Sequence, residues 1–259
     1  AIDSAAGGVA QVREVAASLI RVAKTRGMAT VLVGHVTKDG AIAGPRALEH
    51  LVDVVCQFEG ERHSRLRLLR STKNRYGATD EVGCFDLTDT GIQGLTDPSG
   101  LFLSRHAEPV PGTAVTVTLE GRRPLIAEVQ ALVSASALSN PRRATSGLDS
   151  SRVAMALAVL ERRFAVTLSG RDVYVSTVGG VRLGEPAADL AVALSVASCA
   201  YERPLPPDTV VIGEVGLAGE VRRVSGVGRR LSEAGRLGFT RAVVPAGTDD
   251  TAPEGMTVH

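Results

Sequence analysis

Between Val9 and Arg26 apolar residues recur at Val12, Val15, Ala16, Leu19, Val22 and Ala23, the spacing of an amphipathic helix, and Gly27 supplies its stop. The run Ala29 to Gly34 that follows is continuously apolar, the pattern of a strand buried on both faces of a parallel sheet. From Thr37 to Pro45 the chain turns polar and glycine-rich, so a loop is expected at the end of that strand, where open α/β sheets place their sites. A short helix is expected over Arg46 to His50. Val52 to Phe58, Arg65 to Arg70 and Val82 to Leu87 then read as strands, partly alternating, so the sheet is expected to become antiparallel.

The segment Asp97 to Gly112 holds DPSG and PVPG, turn signals that mark a domain boundary. Beyond it, strands are expected at Ala114 to Leu119 and Pro124 to Val133. A polar stretch follows, then a helix from about Ser150 with Val153, Leu157, Leu160 and Phe164 on one face. Alternation resumes with strand Asp172 to Val178, helix Pro186 to Ala200, strand Thr209 to Gly213, helix Val227 to Leu237 and strand Arg241 to Val244. The expected architecture is α/β followed by α+β: residues 1–100 in one domain, a linker at 101–112, and a second domain at 113–259.

The 259 residues suit two cores. No apolar run is long enough to span a bilayer, and Ala1 to Gly8 lack the marks of a signal peptide, so no membrane is expected and the cytoplasm is the expected location. The three cysteines, Cys56, Cys84 and Cys199, form no metal-binding or disulfide pattern and read as small core residues; no metal site is expected in this chain. A net charge of +1 neither requires nor excludes a nucleic-acid partner. Of the 29 basic residues only Lys24, Lys38 and Lys73 are lysines, and none follows Lys73.

Several residues invite a chemical reading. His35 follows the apolar run directly; it is either satisfied by backbone or a polar sensor facing a phosphate. Lys73 and Arg75, in TKNRYG, stand at alternate positions and so share one side of an extended segment. They are either a solvated strand end or a clamp on phosphoryl oxygens.

The stretches GHVTKDGAIAGPRALEHLVDVV, RSTKNRYGATDEVGCF, EPAADLAVAL and VVIGEVGLAGEVRRV, in that order, resemble the successive signatures of the bacterial RadA (Sms) family of DNA-repair proteins, from about Gly8 to Met256. KNRYG resembles the family motif KNRFG, with tyrosine at Tyr76. The resemblance implies the back part of a RecA-like ATPase core followed by a Lon-protease-like domain of ribosomal protein S5-like fold. It further implies a homo-hexameric ring that uses ATP and Mg2+ to drive branch migration and helicase activity on recombination intermediates, with single-stranded and duplex DNA and the recombinase RecA as partners. By the same resemblance Lys73 and Arg75 act in trans on a neighbour's nucleotide, His35 lies on the sensor strand, and Lys38 and Arg46 are DNA contacts.

Neither the family's phosphate loop, GxxxxGK[ST], nor its four-cysteine zinc module occurs in this sequence, so the chain alone is not expected to hydrolyse ATP, and zinc is expected only in that module. Matching the second domain to Lon places Ala187 at the serine nucleophile and Gly228 at the lysine base. With no lysine after Lys73, and arginine unable to act as a base near neutral pH, a peptidase is disfavoured. Arg142 with Arg143, Arg222 with Arg223, and Arg229 with Arg230 are candidate DNA contacts, or else solvated faces or subunit ion pairs. Three function classes are therefore weighed: a DNA motor, a non-enzymatic DNA-binding oligomerisation scaffold and a Ser-Lys peptidase.

Overall fold

The computed structural model describes residues 9–34, 48–60, 65–104, 108–248 and 252–259. His35, Lys38 and Arg46, with the whole of the expected 37–45 loop and the first two residues of the expected 46–50 helix, lie outside these residues, and 48–50 form a turn. The chain divides into two compact units, residues 1–59 with 69–81, and residues 60–68 with 82–259.

In the first unit α1 spans Val9–Arg26. Its end is set by Gly27, at φ 63°, and by a hydrogen bond of 2.9 Å from Met28 N–H to Ala23 O, a left-handed cap that satisfies a terminal carbonyl. The expected strand at Ala29 to Gly34 is not formed: this segment pairs with no described strand, and Val31 and Val33 are 88% and 96% exposed. An apolar run becomes a parallel strand only where neighbours flank it, and none is described there. β1 (Val54–Glu59) and the later part of β2 (Leu66–Asn74) complete the unit.

The second unit takes in the start of β2 and the antiparallel pair β3 (Val82–Thr88) and β4 (Gly91–Gly94). The expected 101–112 linker falls inside this unit, with Phe102 fully buried. The unit's main sheet has seven strands in the order β13-β12-β9-β5-β6-β8-β7. These are β5 (Thr113–Glu120), β6 (Arg123–Ala135), β7 (Arg143–Ser146), β8 (Arg171–Thr177), β9 (Thr209–Val211), β12 (Arg241–Val243) and β13 (Thr257–Val258). β5 to β6 and β6 to β8 are antiparallel, while β7 to β8, β5 to β9, β9 to β12 and β12 to β13 are parallel. A short antiparallel hairpin, β10 (Glu214–Val215) with β11 (Val221–Arg222), stands apart from the sheet.

Both faces of the central strands are covered. Successive side chains of a strand point to opposite faces. On β6, Leu125, Ala127 and Val129 accordingly join a cluster with Val153, Leu157 and Leu160 of α2 (Ser150–Arg163) and with Ala191, Val192 and Val196 of α3 (Asp189–Ala200). Ile126 points the other way, into a cluster with Val227, Leu231 and Ala234 of α4 (Val227–Arg236). α3 is the most enclosed helix, apolar on nearly every side, as expected of a helix with neighbours all around. Phe164, expected on the buried face of α2, instead ends the helix and is 54% exposed.

Candidate functional site

In the first unit the site is built at the end of β2. The Asn74 side chain donates to Ala78 O at 3.1 Å and accepts from Tyr76 N–H at 3.0 Å, a local turn that ends the strand and presents Arg75 and Tyr76 at its tip. Tyr76 is 80% exposed. Lys73 Nζ donates to Glu49 O at 2.5 Å and to Val52 O at 2.8 Å, so two of its three ammonium protons brace the 48–52 turn. Arg75 is bound to the next residue of that segment twice: its N–H to Asp53 O at 3.1 Å, and its Nη1 to Asp53 Oδ1 at 3.0 Å. Its side chain nevertheless stays 55% exposed. Asp53 was not among the residues singled out from the sequence. Twenty-two positions separate it from Arg75, and only the fold joins them.

The second unit sorts its arginines. Arg142 and Arg229 are exposed. Arg142 N–H donates to Asp172 Oδ1 at 2.7 Å; that bond, a hydrogen bond from Ser136 and the two adjacent arginines hold the Asp172 carboxyl below its usual range. Arg143 lies on the edge strand β7, not in a loop, and spends its guanidinium on Arg171 O and on Leu168 O, the latter at 3.0 Å. Arg222 is bound to Glu220 at 2.5 Å and lies 3.6 Å from Glu214, whereas Arg223 is exposed and approaches Gly247.

Arg230, grouped with Arg229 as a DNA contact, is corrected by the structure. Its side chain is 0% exposed, and it donates to Glu185 Oε1 at 2.5 Å, Glu185 Oε2 at 2.7 Å, Val117 O at 2.6 Å and Ser225 O at 3.1 Å. A fully enclosed guanidinium with these partners is a core tie. Burial alone pushes the Glu185 carboxyl up, but Arg230, Thr118 and the N–H of Leu119 outweigh it, and the carboxyl sits below its ordinary value.

This bridge flanks the positions matched to the Lon dyad. Glu185 lies just before Ala187, which is 1% exposed, and Arg230 just after Gly228 in α4. Ala187 and Val227 share one apolar cluster, so the ground between the two segments is filled by hydrocarbon and an ion pair. Of the cysteines only Cys84 is fully buried; Cys199 is half-buried, with Sγ 3.2 Å from Val133 N, and Cys56 is exposed, contrary to its reading as a core residue. Among the described residues no group of three or more His, Cys, Asp or Glu side chains is placed to hold a metal ion.

Comparison with known proteins locates this arrangement. Residues 152–248, from α2 past β12 in the second unit, match the family model described as subunit ChlI of Mg-chelatase. The chain is 59% identical over 254 residues to the DNA repair protein RadA of Mycobacterium tuberculosis H37Rv, covering 98% of this chain and 53% of that protein. The RadA proteins of Pseudomonas aeruginosa and Escherichia coli K12 are 55% and 51% identical over 258 residues, each across 99% of this chain. Over nearly its whole length the chain is similar to proteins named DNA repair protein RadA. It spans about half the length of these relatives, 53% to 57%. The KNRYG turn, the Arg75–Asp53 pair and the Glu185–Arg230 bridge thus lie in a chain similar to RadA proteins, and its fold is mixed α/β, with parallel pairs inside the main sheet. Among the described residues no helix is long and apolar enough to cross a membrane.

Proposed function

We propose that this chain is the nucleotide-contacting and DNA-facing portion of an ATP-dependent DNA-repair motor, with Arg75 as an arginine finger that reaches a nucleotide held by a neighbouring copy in a hexameric ring. One observation carries the reading: Arg75 projects from the turn after β2, more than half exposed, with a single guanidinium nitrogen engaged by Asp53. No phosphate loop occurs among these residues, and the reading places the contribution of Arg75 to ATP and Mg2+ chemistry at the nucleotide of a neighbouring copy. There a planar cation neutralises charge that develops on the transferred phosphoryl group. Lys73, already bonded to two carbonyls, acts chiefly by bracing the turn and offers at most its third proton to that nucleotide. His35, outside the described residues, belongs to the same reading as its sensor.

The work done is branch migration or unwinding of recombination intermediates, on single-stranded and duplex DNA, in the cytoplasm and alongside RecA. Residues 1–100 serve as the RecA-like part, in which Lys38 and Arg46 touch DNA, 101–112 as the connection, and 113–259 as a Lon-protease-like part without proteolytic function, whose exposed arginines touch DNA. Zinc belongs only to the family's amino-terminal module. Replacing Arg75 by alanine in the full-length protein tests the reading: DNA-stimulated ATPase should fall by ~10³ to 10⁵ if the finger is real, and normal turnover would refute it.

A second reading, a DNA-binding scaffold without catalysis of its own, is favoured for the second unit by the exposed Arg142 and Arg229 and by dyad positions that hold only Ala187 and Gly228. A peptidase has no nucleophile or base at those positions.

A further inference from the structure

Resting on the trans-acting role of Arg75 just described, we propose that Asp53 is a positioning residue that holds the Arg75 guanidinium ready for a phosphate on a neighbouring copy. The segment ending in Asp53 is fixed before Arg75 is reached: Lys73 Nζ binds Glu49 O and Val52 O, and Leu51 and Val52 N–H both return to Leu48 O. From that braced turn Asp53 grips Arg75 at two points, its carbonyl setting the main-chain register and its carboxylate setting the direction of the side chain.

The form of the grip separates it from the structural arginines of the same chain. Arg152 on Asp189 and Arg230 on Glu185 present two nitrogens to two carboxylate oxygens, and one member of each pair is nearly or fully buried. Arg75 gives Asp53 one nitrogen, and the two side chains are 55% and 35% exposed. A guanidinium carries five N–H donors, so this bond orients the fork and leaves most of it facing outward. An exposed pair of this kind adds little to stability. Its effect is on geometry, and a charged group misplaced by about 1 Å at a reacting phosphate loses up to ~10² in rate.

The test uses the full-length protein with ATP and duplex DNA, comparing Asp53→Ala, Asp53→Asn and Arg75→Ala. Asp53→Ala should lower kcat roughly 10- to 100-fold while KM for ATP, DNA affinity and assembly mass stay as in the parent. Asp53→Asn, whose amide oxygen still accepts from Nη1, should recover most of the loss. An unchanged kcat in Asp53→Ala, or an equal loss in Asp53→Asn, overturns the assignment. Arg75→Ala separates the two levels: if it abolishes turnover while Asp53→Ala leaves kcat unchanged, only the positioning role fails, and if it turns over normally, the finger reading fails with it.

Discussion

Arg230 is fully enclosed and donates to four acceptor atoms, two of them the carboxylate oxygens of Glu185. Adjacent arginines in a polar stretch read as a surface patch, because arginine is rarely fully buried. The acid that permits burial, Glu185, is 45 positions upstream and meets it only once α4 packs on the sheet. Such a pair stabilises little against a hydrocarbon replacement, but removal of one partner strands a buried charge. Glu185→Ala should therefore destabilise the protein by about 3 to 5 kcal/mol in denaturant unfolding, with Glu185→Leu combined with Arg230→Met much milder. The bridge also predicts a pH dependence. The folded carboxyl ionises below 4.5, its ordinary value, so its contribution is complete above that pH and is lost as pH falls through the folded value. From pH 7 toward pH 3 the parent should lose stability relative to the double variant, which has no carboxyl to protonate there; a constant difference would contradict this.

At the scale of elements, helices were the most legible feature, because each carries a repeating apolar face and a physical end signal. α2 has both: Val153, Leu157 and Leu160 are buried, and Asp149 caps the helix by accepting from Ser151 N–H at 2.8 Å and Arg152 N–H at 2.9 Å. Asp149→Ala leaves these two donors without the cap and should cost about 1 kcal/mol, read as a lower denaturation midpoint at unchanged slope, whereas Asp149→Ser should cost far less. The strands from β5 onward were found where they carry burial on both faces. β7, β10, β11 and β13 were not, because two to four residues, several of them polar, show no period to read. The opposite error occurred at Ala29 to Gly34, where the apolar run is present but no described strand pairs with it; apolar patterning reports what a segment would gain by burial, and burial needs a neighbour. The candidate site divides in the same way: Lys73 and Arg75 stood out by motif, while Asp53, an acid at the edge of an apolar segment, carried no local signal.

At the scale of the molecule, a chain with net charge +1 has no strong overall attraction for nucleic acid, so any DNA affinity must come from particular cations free to meet phosphates. The structure ranks them. Arg230 is enclosed, Arg143 is committed to main-chain carbonyls, and Arg222 is paired with Glu220 and close to Glu214. Arg142, Arg223 and Arg229 remain as exposed cations, Arg142 with Asp172 close by and Arg223 against Gly247, and Arg142 and Arg229 are tested as a pair. Each phosphate contact contributes about 0.9 to the slope of log affinity against log salt, through release of a condensed counterion. If both arginines touch duplex DNA, the Arg142→Ala, Arg229→Ala double variant should flatten that slope by about 2 and weaken binding alike across sequences. Arg222→Ala should change it less, because the lost cation was already neutralised within the protein. An unaltered slope in the double variant, measured by fluorescence anisotropy from 50 to 200 mM salt as an about fourfold series, would move the DNA surface away from these arginines and leave their exposure without a ligand.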